Sequence, residues 1–297
     1  MPHALSLPRI STNVRFAASA LLFPELAGAW AERLFLTPPR HGGAAAALDL
    51  IDARSSLVEH KGRHIAAWRW GSRDAPLVVL AHGWGGYAAQ MRAFAFPLLS
   101  AGYQVIAYDQ PAHGVSEGKL TGLPDFADVL AEVSWHFGGA HAFIGHSLGA
   151  AAAGLALATR KVRFDKVVLV SPPGDLVGYS RRFARWHWMP EPVRRAMQSA
   201  IEDRYGVLWE SLEVARLAPR LSTPALVIHD RDDHWVPWTQ GAHVAQLWPG
   251  ARLFSTDGLG HGRILSSEVV TRAAADFIAG RSAIANVAAD TQPAPLY

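Results

Sequence analysis

The sequence contains no cysteine among its 297 residues. Thiol catalysis, cysteine-ligated zinc sites and disulfide frameworks are therefore excluded, and cysteine usage indicates nothing about the redox compartment. Charged residues are also sparse, at 18% of the chain, and the formal net charge is only +3. Because this mild positive charge is spread along the chain, nucleic acid is not expected as a partner.

Long uninterrupted apolar runs are absent as well. Residues 16–36 are rich in apolar side chains, but Pro24-Glu25 and Glu32-Arg33 interrupt them. A membrane-spanning helix needs about 20 nearly uninterrupted apolar residues, and a secretory signal needs an unbroken apolar core. We therefore predict a cytoplasmic protein with an N-terminal helical extension at 1–54, including one or two amphipathic helices within 12–36. Peripheral membrane contact by these helices is an alternative.

Short apolar runs recur along the rest of the chain. They are Ser56–His60, His64–Trp70, Leu77–Ala81, Gln104–Tyr108, Ala142–Ile144, Lys166–Val170, Ala225–His229 and Ala251–Ser255. The first two are joined at Lys61-Gly62-Arg63, which predicts a hairpin. The later runs are typical of strands that are buried on both faces, as in a parallel sheet.

Helical patterns separate most of these runs. They lie at about 86–100, 123–137, 148–159, 238–247 and 263–279. Alternation of strand and helix after an initial hairpin predicts an α/β fold with a doubly wound, mostly parallel, eight-stranded sheet. We assign residues 55–174 and 220–280 to this core, and we expect a flexible tail at 281–297.

One interval is too long for an ordinary connection. About fifty residues lie between the sixth strand and the seventh, far more than most loops contain. We predict a small helical cap at 175–219, inserted after the sixth strand. The interval is rich in tryptophan and arginine. We favour amphipathic helices that bury the tryptophans and leave the arginines in solvent, over a lid that attracts acidic substrates.

The pentapeptide Gly145-His146-Ser147-Leu148-Gly149 follows a predicted strand and precedes an alanine-rich helical stretch. This is G-x-S-x-G at a strand-to-helix junction, where the serine occupies a strained turn that lifts its hydroxyl clear of the sheet. The following helix N-terminus favours a developing anion. Ser147 is therefore the candidate nucleophile.

Two further segments accompany this pentapeptide: His82-Gly83-Trp84-Gly85-Gly86 and the stretch from Asp109 to Ser116. Together they resemble motifs of the α/β-hydrolase superfamily, in particular its serine esterase- and lipase-like members. The resemblance covers about residues 55–280. It implies the α/β-hydrolase fold, no cofactor, and a small-molecule ester or acyl substrate. Serine at the turn argues against the haloalkane dehalogenases and epoxide hydrolases, which carry aspartate there. The oligomeric state is left open.

A serine hydroxyl needs a base within hydrogen-bond reach, and the chain has 14 histidines. In this superfamily the triad runs serine, acid, histidine along the chain. Five histidines follow Ser147: His187, His229, His234, His243 and His261. The resemblance assigns the base to His261, in the glycine-rich loop Gly258–Gly262. We expect His82, His113 and His146, which lie within family motifs, to shape loops.

Three aspartates follow the seventh predicted strand: Asp230, Asp232 and Asp233. The pattern usual in the superfamily, G-x-x-D-x-x-V-P, places the triad acid on Asp233. Asp230 stands where glycine is usual, which is a departure from the pattern. Asp232 is the first alternative for the acid and Asp175 the second. The aspartates that are not the acid are expected to lie in a solvated turn.

Attack on an ester produces an oxyanion that needs preorganised donors. The expected pair is the backbone N–H groups of Trp84 and Leu148. Gly83-Trp84-Gly85-Gly86 lacks both the lysine of a phosphate-binding P-loop and the Rossmann spacing, and the histidines form no metal-binding pattern. We therefore expect neither a metal nor a cofactor.

These residues predict a serine hydrolase that cleaves a carboxylic ester through an acyl-enzyme on Ser147, with Asp233 and His261 completing the triad. C–C bond hydrolysis, thioester hydrolysis, perhydrolysis and acyl transfer would use the same triad, so the sequence does not separate them. A non-catalytic binding protein on the same fold is an alternative from another class.

Overall fold

The computed structural model describes residues 24–41, 43, 49–50 and 52–281. Residues 12–23 of the predicted N-terminal helices, and the predicted flexible tail apart from residue 281, lie outside this part of the chain. The described residues form two compact units. One contains the residues up to Thr37 together with Asp175–Glu213, and the other contains Pro38–Gly174 and the residues from Val214 onward.

The larger unit is built on one sheet of eight strands. They are β1 Arg54–His60, β2 Arg63–Trp70, β3 Leu77–Ala81, β4 Gln104–Tyr108, β5 Ala142–His146, β6 Lys166–Val170, β7 Ala225–Asp230 and β8 Arg252–Thr256. Their order across the sheet is β1-β2-β4-β3-β5-β6-β7-β8. β1 pairs antiparallel with β2, and β2 pairs antiparallel with β4. All other pairs are parallel, which confirms the predicted fold.

Burial explains why continuous apolar runs form the central strands. Every residue of β3, β4, β5 and β7 is buried, so no polar face is needed. β1 alternates between exposed and buried residues over its second half, as expected for the edge of a sheet. Polar side chains are confined to the ends of the central strands, where β5 ends at His146 and β7 ends at Asp230.

Helices follow strands β3 to β8 of this unit in the chain. They are α2 Ala95–Ser100, α3 Leu123–His136, α4 Leu148–Ala158, α7 Val214–Leu217, α8 Trp238–Leu247, α9 Gly260–Arg263 and α10 Glu268–Ile278. The predicted helix at 86–100 is in fact a 3₁₀ helix, Ala88–Phe94, followed by α2, and the predicted helix at 263–279 is divided among α9, a 3₁₀ turn and α10. α4 contains the fully buried run Ala150–Ala153.

In the described part of the smaller unit, the regular elements are all helices. Its elements are α1 Pro24–Leu36, α5 Leu176–Trp186, α6 Glu191–Tyr205 and the 3₁₀ helix Trp209–Leu212. The Phe35 ring of α1 makes edge contacts with Phe183 and Trp209, at centroid distances of 4.9 and 5.1 Å. The helix that precedes the sheet in the sequence therefore packs with the helices inserted after β6.

The expectation that this inserted segment buries its tryptophans and leaves its arginines in solvent is wrong for three residues. Arg194 is buried, at 5% exposure, whereas Trp186 and Trp188 are each about half exposed. The Arg194 guanidinium donates to the Glu191 carboxylate at 2.8 Å and to the Gln198 side-chain oxygen at 2.8 Å. A buried arginine is tolerated because these partners satisfy its donors. Among the described residues, no helix has the length and apolar character needed to cross a bilayer.

Candidate active site

Ser147 lies at the junction of β5 and α4 with φ 51° and ψ −122°. This left-handed φ is rare for a residue with a side chain, and its cost persists only where the surroundings impose it. The Ser147 N–H donates to the Val170 carbonyl at 2.8 Å, which ties the turn to the end of β6. The strained turn that the pentapeptide predicts is therefore present.

The loop after β3 lies directly against this turn. A side chain at Gly83 would place its first carbon 2.8 Å from Ser147 Cβ, closer than such atoms approach in proteins. Gly149 is equally constrained, because a first side-chain carbon there would overlap the His82 carbonyl. Glycine at both positions lets the two backbones meet at the serine.

The two backbone amides expected to stabilise an oxyanion lie in these neighbouring segments. Leu148 is the first residue of α4, and the first N–H groups of a helix have no partner within it. In the described part of the chain, neither the Trp84 N–H nor the Leu148 N–H donates to another residue. Both residues are partly exposed. Two donors are thus available beside Ser147.

His261 and Asp233 are in direct contact. His261 Nδ1 donates to Asp233 Oδ2 at 2.6 Å, and the Asp233 side chain is fully buried whereas that of His261 is 18% exposed. With its proton on Nδ1, the imidazole leaves Nε2 free to accept one. The His234 and His243 side chains are exposed. The structure therefore brings together the histidine and the aspartate that the family pattern pairs.

The carboxylate of Asp233 accepts several hydrogen bonds. The N–H groups of Trp235 and Val236 each donate to Oδ1 at 2.9 Å. The second histidine, His229, approaches Oδ2 through Nε2 at 3.4 Å. Burial alone would raise the pKa of Asp233, but hydrogen bonds from His229 and His261 outweigh it and hold that pKa well below its ordinary value. Asp233 is therefore ionised at neutral pH.

His261 is also attached to the serine turn through the backbone. His146 Nε2 donates to the His261 carbonyl at 3.0 Å, and the two imidazole rings are 4.5 Å apart between centroids. Because His146 immediately precedes Ser147, this contact holds the histidine loop beside the turn. Burial is the main cause that lowers the pKa of His146 to about 3. Among the described residues, no hydrogen bond joins the Ser147 hydroxyl to His261.

Two buried histidines hold the loop that carries Trp84. His113 Nε2 accepts from the Gly85 N–H at 2.9 Å, and its Nδ1 donates to the Pro111 carbonyl at 2.9 Å. His82 is arranged in the same way: Nε2 accepts from the Gln110 N–H, and Nδ1 donates to the Gly83 carbonyl. Each ring is therefore a neutral imidazole of fixed tautomer. Burial lowers the pKa of His113 to about 4.

Asp109 is hydrogen-bonded to the segments that follow β3 and β4. Its carboxylate accepts from the Ala88 N–H at 2.7 Å and from the Val115 N–H at 2.8 Å. Burial raises the pKa of Asp109 to about 6, against the opposing effect of these hydrogen bonds. Asp109 thereby links the segment after β3 to the segment after β4, and the family motif that contains it shapes a loop.

Asp230 does not lie in a solvated turn, contrary to expectation. It is fully buried, and its carboxylate accepts from the Thr256 hydroxyl at 2.7 Å and from the N–H groups of Leu259 and Gly260 at 3.1 and 2.8 Å. Asp232 is exposed, as expected, but it accepts from the Gly258 N–H at 2.8 Å. The one feature of the sequence that could have indicated this buried role is that Asp230 stands where the superfamily pattern usually has glycine.

The second alternative acid, Asp175, belongs to the smaller, helical unit. It precedes α5 in the helical unit, and its carboxylate accepts from the Gly178 N–H at 2.6 Å, which makes it a helix cap. Within the described ranges, no group of three or more histidine, aspartate or glutamate side chains is arranged to hold a metal ion. The groups that the structure places at or near Ser147 are a hydroxyl, an imidazole, a carboxylate and backbone amides.

A sheet of this topology with a strained serine at the end of β5 defines an α/β hydrolase. Residues 78–274 match the model of the alpha/beta hydrolase family, and the chain belongs to that family. Its members include enzymes with several named activities, so membership identifies a family of hydrolases and leaves the substrate open.

Among curated proteins, the chain is 26% identical over 252 residues to a bifunctional esterase/perhydrolase of Acinetobacter calcoaceticus, covering 65% of this chain and 87% of that protein. It is 27% identical over 263 residues to a non-heme chloroperoxidase of Streptomyces lividans, covering 70% and 93%. Among solved structures, an esterase from Exiguobacterium antarcticum superposes with a TM-score of 0.60 at 19% identity, covering 76% of this chain and 99% of that one. At this identity, the likeness concerns the fold alone.

Proposed function

We propose that the protein is a serine hydrolase that cleaves a carboxylic ester through an acyl-enzyme on Ser147. The observation that carries the proposal is the 2.6 Å hydrogen bond from His261 Nδ1 to buried Asp233, on a loop held beside the strained Ser147 turn. A carboxylate in this place fixes the imidazole tautomer and stabilises its protonated form during the reaction.

The proposed reaction has two halves. Ser147 Oγ attacks the ester carbonyl carbon while its proton passes to His261 Nε2, and the N–H groups of Trp84 and Leu148 stabilise the resulting oxyanion. The C–O bond to the alcohol then breaks, and His261 gives the alcohol its proton. In the second half, water loses a proton to His261 and attacks the acyl carbon. The bond from that carbon to Ser147 Oγ then breaks, Oγ takes the proton back from His261, and the carboxylic acid leaves.

A fluorophosphonate probe tests this proposal without knowledge of the substrate. The wild type should be modified on the peptide that contains Ser147, and Ser147→Ala should not be modified. Ser147→Ala should also lose ester turnover by several orders of magnitude while keeping its melting temperature. If Ser147→Ala keeps more than about a tenth of the wild-type kcat, the nucleophile is another residue. An unlabelled, inactive wild type would favour the alternative of a non-catalytic binding protein.

Perhydrolysis is a second candidate, because the relatives named as an esterase/perhydrolase and a non-heme chloroperoxidase match most of this chain. In that reaction hydrogen peroxide replaces water, attacks the acyl carbon, and releases a peracid and free Ser147. Acetic acid would acylate Ser147 with loss of water, and hydrogen peroxide would then release peracetic acid, so the formation of peracetic acid from these two compounds should depend on Ser147. If ester hydrolysis depends on Ser147 and peracid formation does not occur, the protein is an esterase without this second activity.

The remaining expectations belong to the same proposal. The partner is a small ester or acyl compound, and the place of action is the cytoplasm. Thioesters, C–C bonded substrates and alcohol acceptors would use the same acyl chemistry at Ser147. A screen over ester chain length, thioesters and lactones, with Ser147→Ala as the blank, identifies the substrate class.

A further inference from the structure

Asp230 has a buried carboxylate that joins two loops, the one that carries Asp233 and the one that carries His261. Its Oδ1 accepts from the Gly260 N–H at 2.8 Å and from the Asp232 N–H at 3.0 Å. Gly260 immediately precedes His261, and Asp232 immediately precedes Asp233. A single oxygen atom is therefore hydrogen-bonded to the residue before the proposed base and to the residue before the proposed acid.

The second oxygen of Asp230 extends this connection. Oδ2 accepts from the Thr256 hydroxyl at 2.7 Å and from the Leu259 N–H at 3.1 Å. The β7–β8 pairing also places Asp230 opposite Thr256. Four donors thus converge on one fully buried carboxylate, and three of them lie in the segment 256–260 that leads to His261.

We propose that Asp230 is a positioning residue that sets the distance and orientation of His261 relative to Asp233 and Ser147. This inference rests on the proposed function, which makes His261 the base. It does not follow from the superfamily pattern, in which glycine usually occupies this position. A glycine has no side chain with which to accept these four hydrogen bonds. The contact between the Asp230 carboxylate and the loop that carries His261 is therefore not part of the usual pattern.

The same four hydrogen bonds favour the negatively charged form of Asp230. Burial would raise the pKa of Asp230, but hydrogen bonds from Thr256, Gly260, Leu259 and Asp232 outweigh it and lower that pKa below its ordinary value. The carboxylate is therefore ionised at neutral pH. Removing it would leave three backbone N–H groups without acceptors, and misplacing a catalytic group by about 1 Å can lower a rate about 100-fold.

Two variants and a matched control separate this role from a general loss of charge. Asp230→Asn can keep the two hydrogen bonds to Oδ1 but not the one from the Leu259 N–H, whereas Asp230→Ala loses all of them. Asp257→Asn removes a carboxylate from the same loop, but the Asp257 side chain is 75% exposed and its ion-pair contact is with Arg231 at 3.5 Å. It should leave His261 in place.

The first measurement does not depend on activity. In proton NMR, the His261 Nδ1–H that donates to Asp233 should give a low-field resonance, which Asp233→Asn identifies by removing it. We expect this resonance to be retained in Asp257→Asn, shifted in Asp230→Asn, and lost or broadened in Asp230→Ala. Unchanged resonance in a folded Asp230→Ala protein would overturn the inference, whatever the protein's activity.

The second measurement is the rate of fluorophosphonate labelling at Ser147. We expect the maximal labelling rate to fall about tenfold in Asp230→Asn and about 100-fold or more in Asp230→Ala, with unchanged probe affinity and an unchanged rate in Asp257→Asn. In a His261→Ala background, Asp230→Ala should cause no further loss, because its effect passes through His261. A full additional loss there would overturn the positioning role.

The two measurements also separate the inference from the proposed function. If the resonance depends on Asp230 but Ser147 is not labelled in the wild type, the positioning role is supported and the proposed function fails. If Ser147 is labelled in the wild type and Asp230→Ala changes neither the resonance nor the rate, the proposed function is supported and the inference is overturned.

Discussion

Asp232 and Asp233 are adjacent and carry the same charge, yet their carboxylates have different partners. Asp233 is fully buried against His261, whereas Asp232 is exposed and accepts from the Gly258 N–H. Spacing to Val236-Pro237 predicts the acid at Asp233 and leaves Asp232 as an alternative. The geometry supports Asp233 as the acid, because Asp233 contacts His261 and Asp232 does not.

Asp233→Asn should therefore lower kcat on a p-nitrophenyl ester far more than Asp232→Asn, by roughly 10⁴-fold if the imidazole adopts the wrong tautomer. The amide side chain can present an N–H to His261, which would favour the proton on Nε2 and block its role as a base. Steady-state kinetics on both variants is the measurement. A dead Asp232→Asn and an active Asp233→Asn would show that the acid has been assigned one residue too far along the chain.

Other residue-level contacts could not be predicted from the sequence. The sequence pattern predicts a solvated turn for Asp230, since aspartates after a strand are typical of turns. Its burial depends on Thr256 and on amides about thirty residues away, at Leu259 and Gly260. Such contacts arise only when β7 and β8 pair, so local pattern does not indicate them.

The elements differ in how well their sequences define them. β3, β4 and β6 have the bounds expected from their apolar runs, because a strand buried on both faces tolerates almost no polar residue. The helix expected at 86–100 is divided into 3₁₀ and α segments. The spacing of its apolar residues indicates which face is buried. This spacing alone does not distinguish a short 3₁₀ helix from a short α-helix.

The helical unit contains a close contact that can be tested separately. α1 packs against α6, and a first side-chain carbon at Gly28 would lie 2.7 Å from Ala196 Cβ. Gly28→Leu should therefore force the two helices apart and destabilise this unit by about 1–3 kcal/mol, as overpacking does in other cores. Thermal unfolding followed by circular dichroism is the measurement.

Ala29 provides the matched control for this change, since it is the next residue of α1 and is exposed. Ala29→Leu adds a side chain of the same kind without meeting α6. We expect its melting temperature to stay close to that of the wild type. Equal stability of the Gly28→Leu and Ala29→Leu variants would mean that α1 and α6 do not pack closely through Gly28.

At the scale of the whole molecule, buried neutral histidines make stability depend on pH. His113 has an ordinary pKa of 6.5 and a folded-state pKa of about 4. The unfolded chain therefore binds a proton on His113 between these values while the folded chain does not. Its contribution to stability is fully present above pH 6.5 and is lost as the pH falls toward 4, by about 3 kcal/mol.

The free energy of unfolding should thus fall more steeply between pH 7 and pH 4.5 in the wild type than in His113→Gln. Asp109 acts in the opposite direction, because its raised pKa of about 6 favours the folded state as the pH falls. Comparison of the two proteins removes this shared contribution. Urea unfolding at several pH values is the measurement, and parallel curves would contradict a neutral, buried His113.

The acyl group on Ser147 is the most direct test of the central claim. The protein is mixed with p-nitrophenyl acetate, quenched in acid within the first turnovers, digested, and examined by mass spectrometry. We expect a burst of up to one equivalent of p-nitrophenol and an acetyl group on the peptide that contains Ser147. Ester turnover with no acyl group on that peptide, or with the acyl group on another residue, would contradict the account.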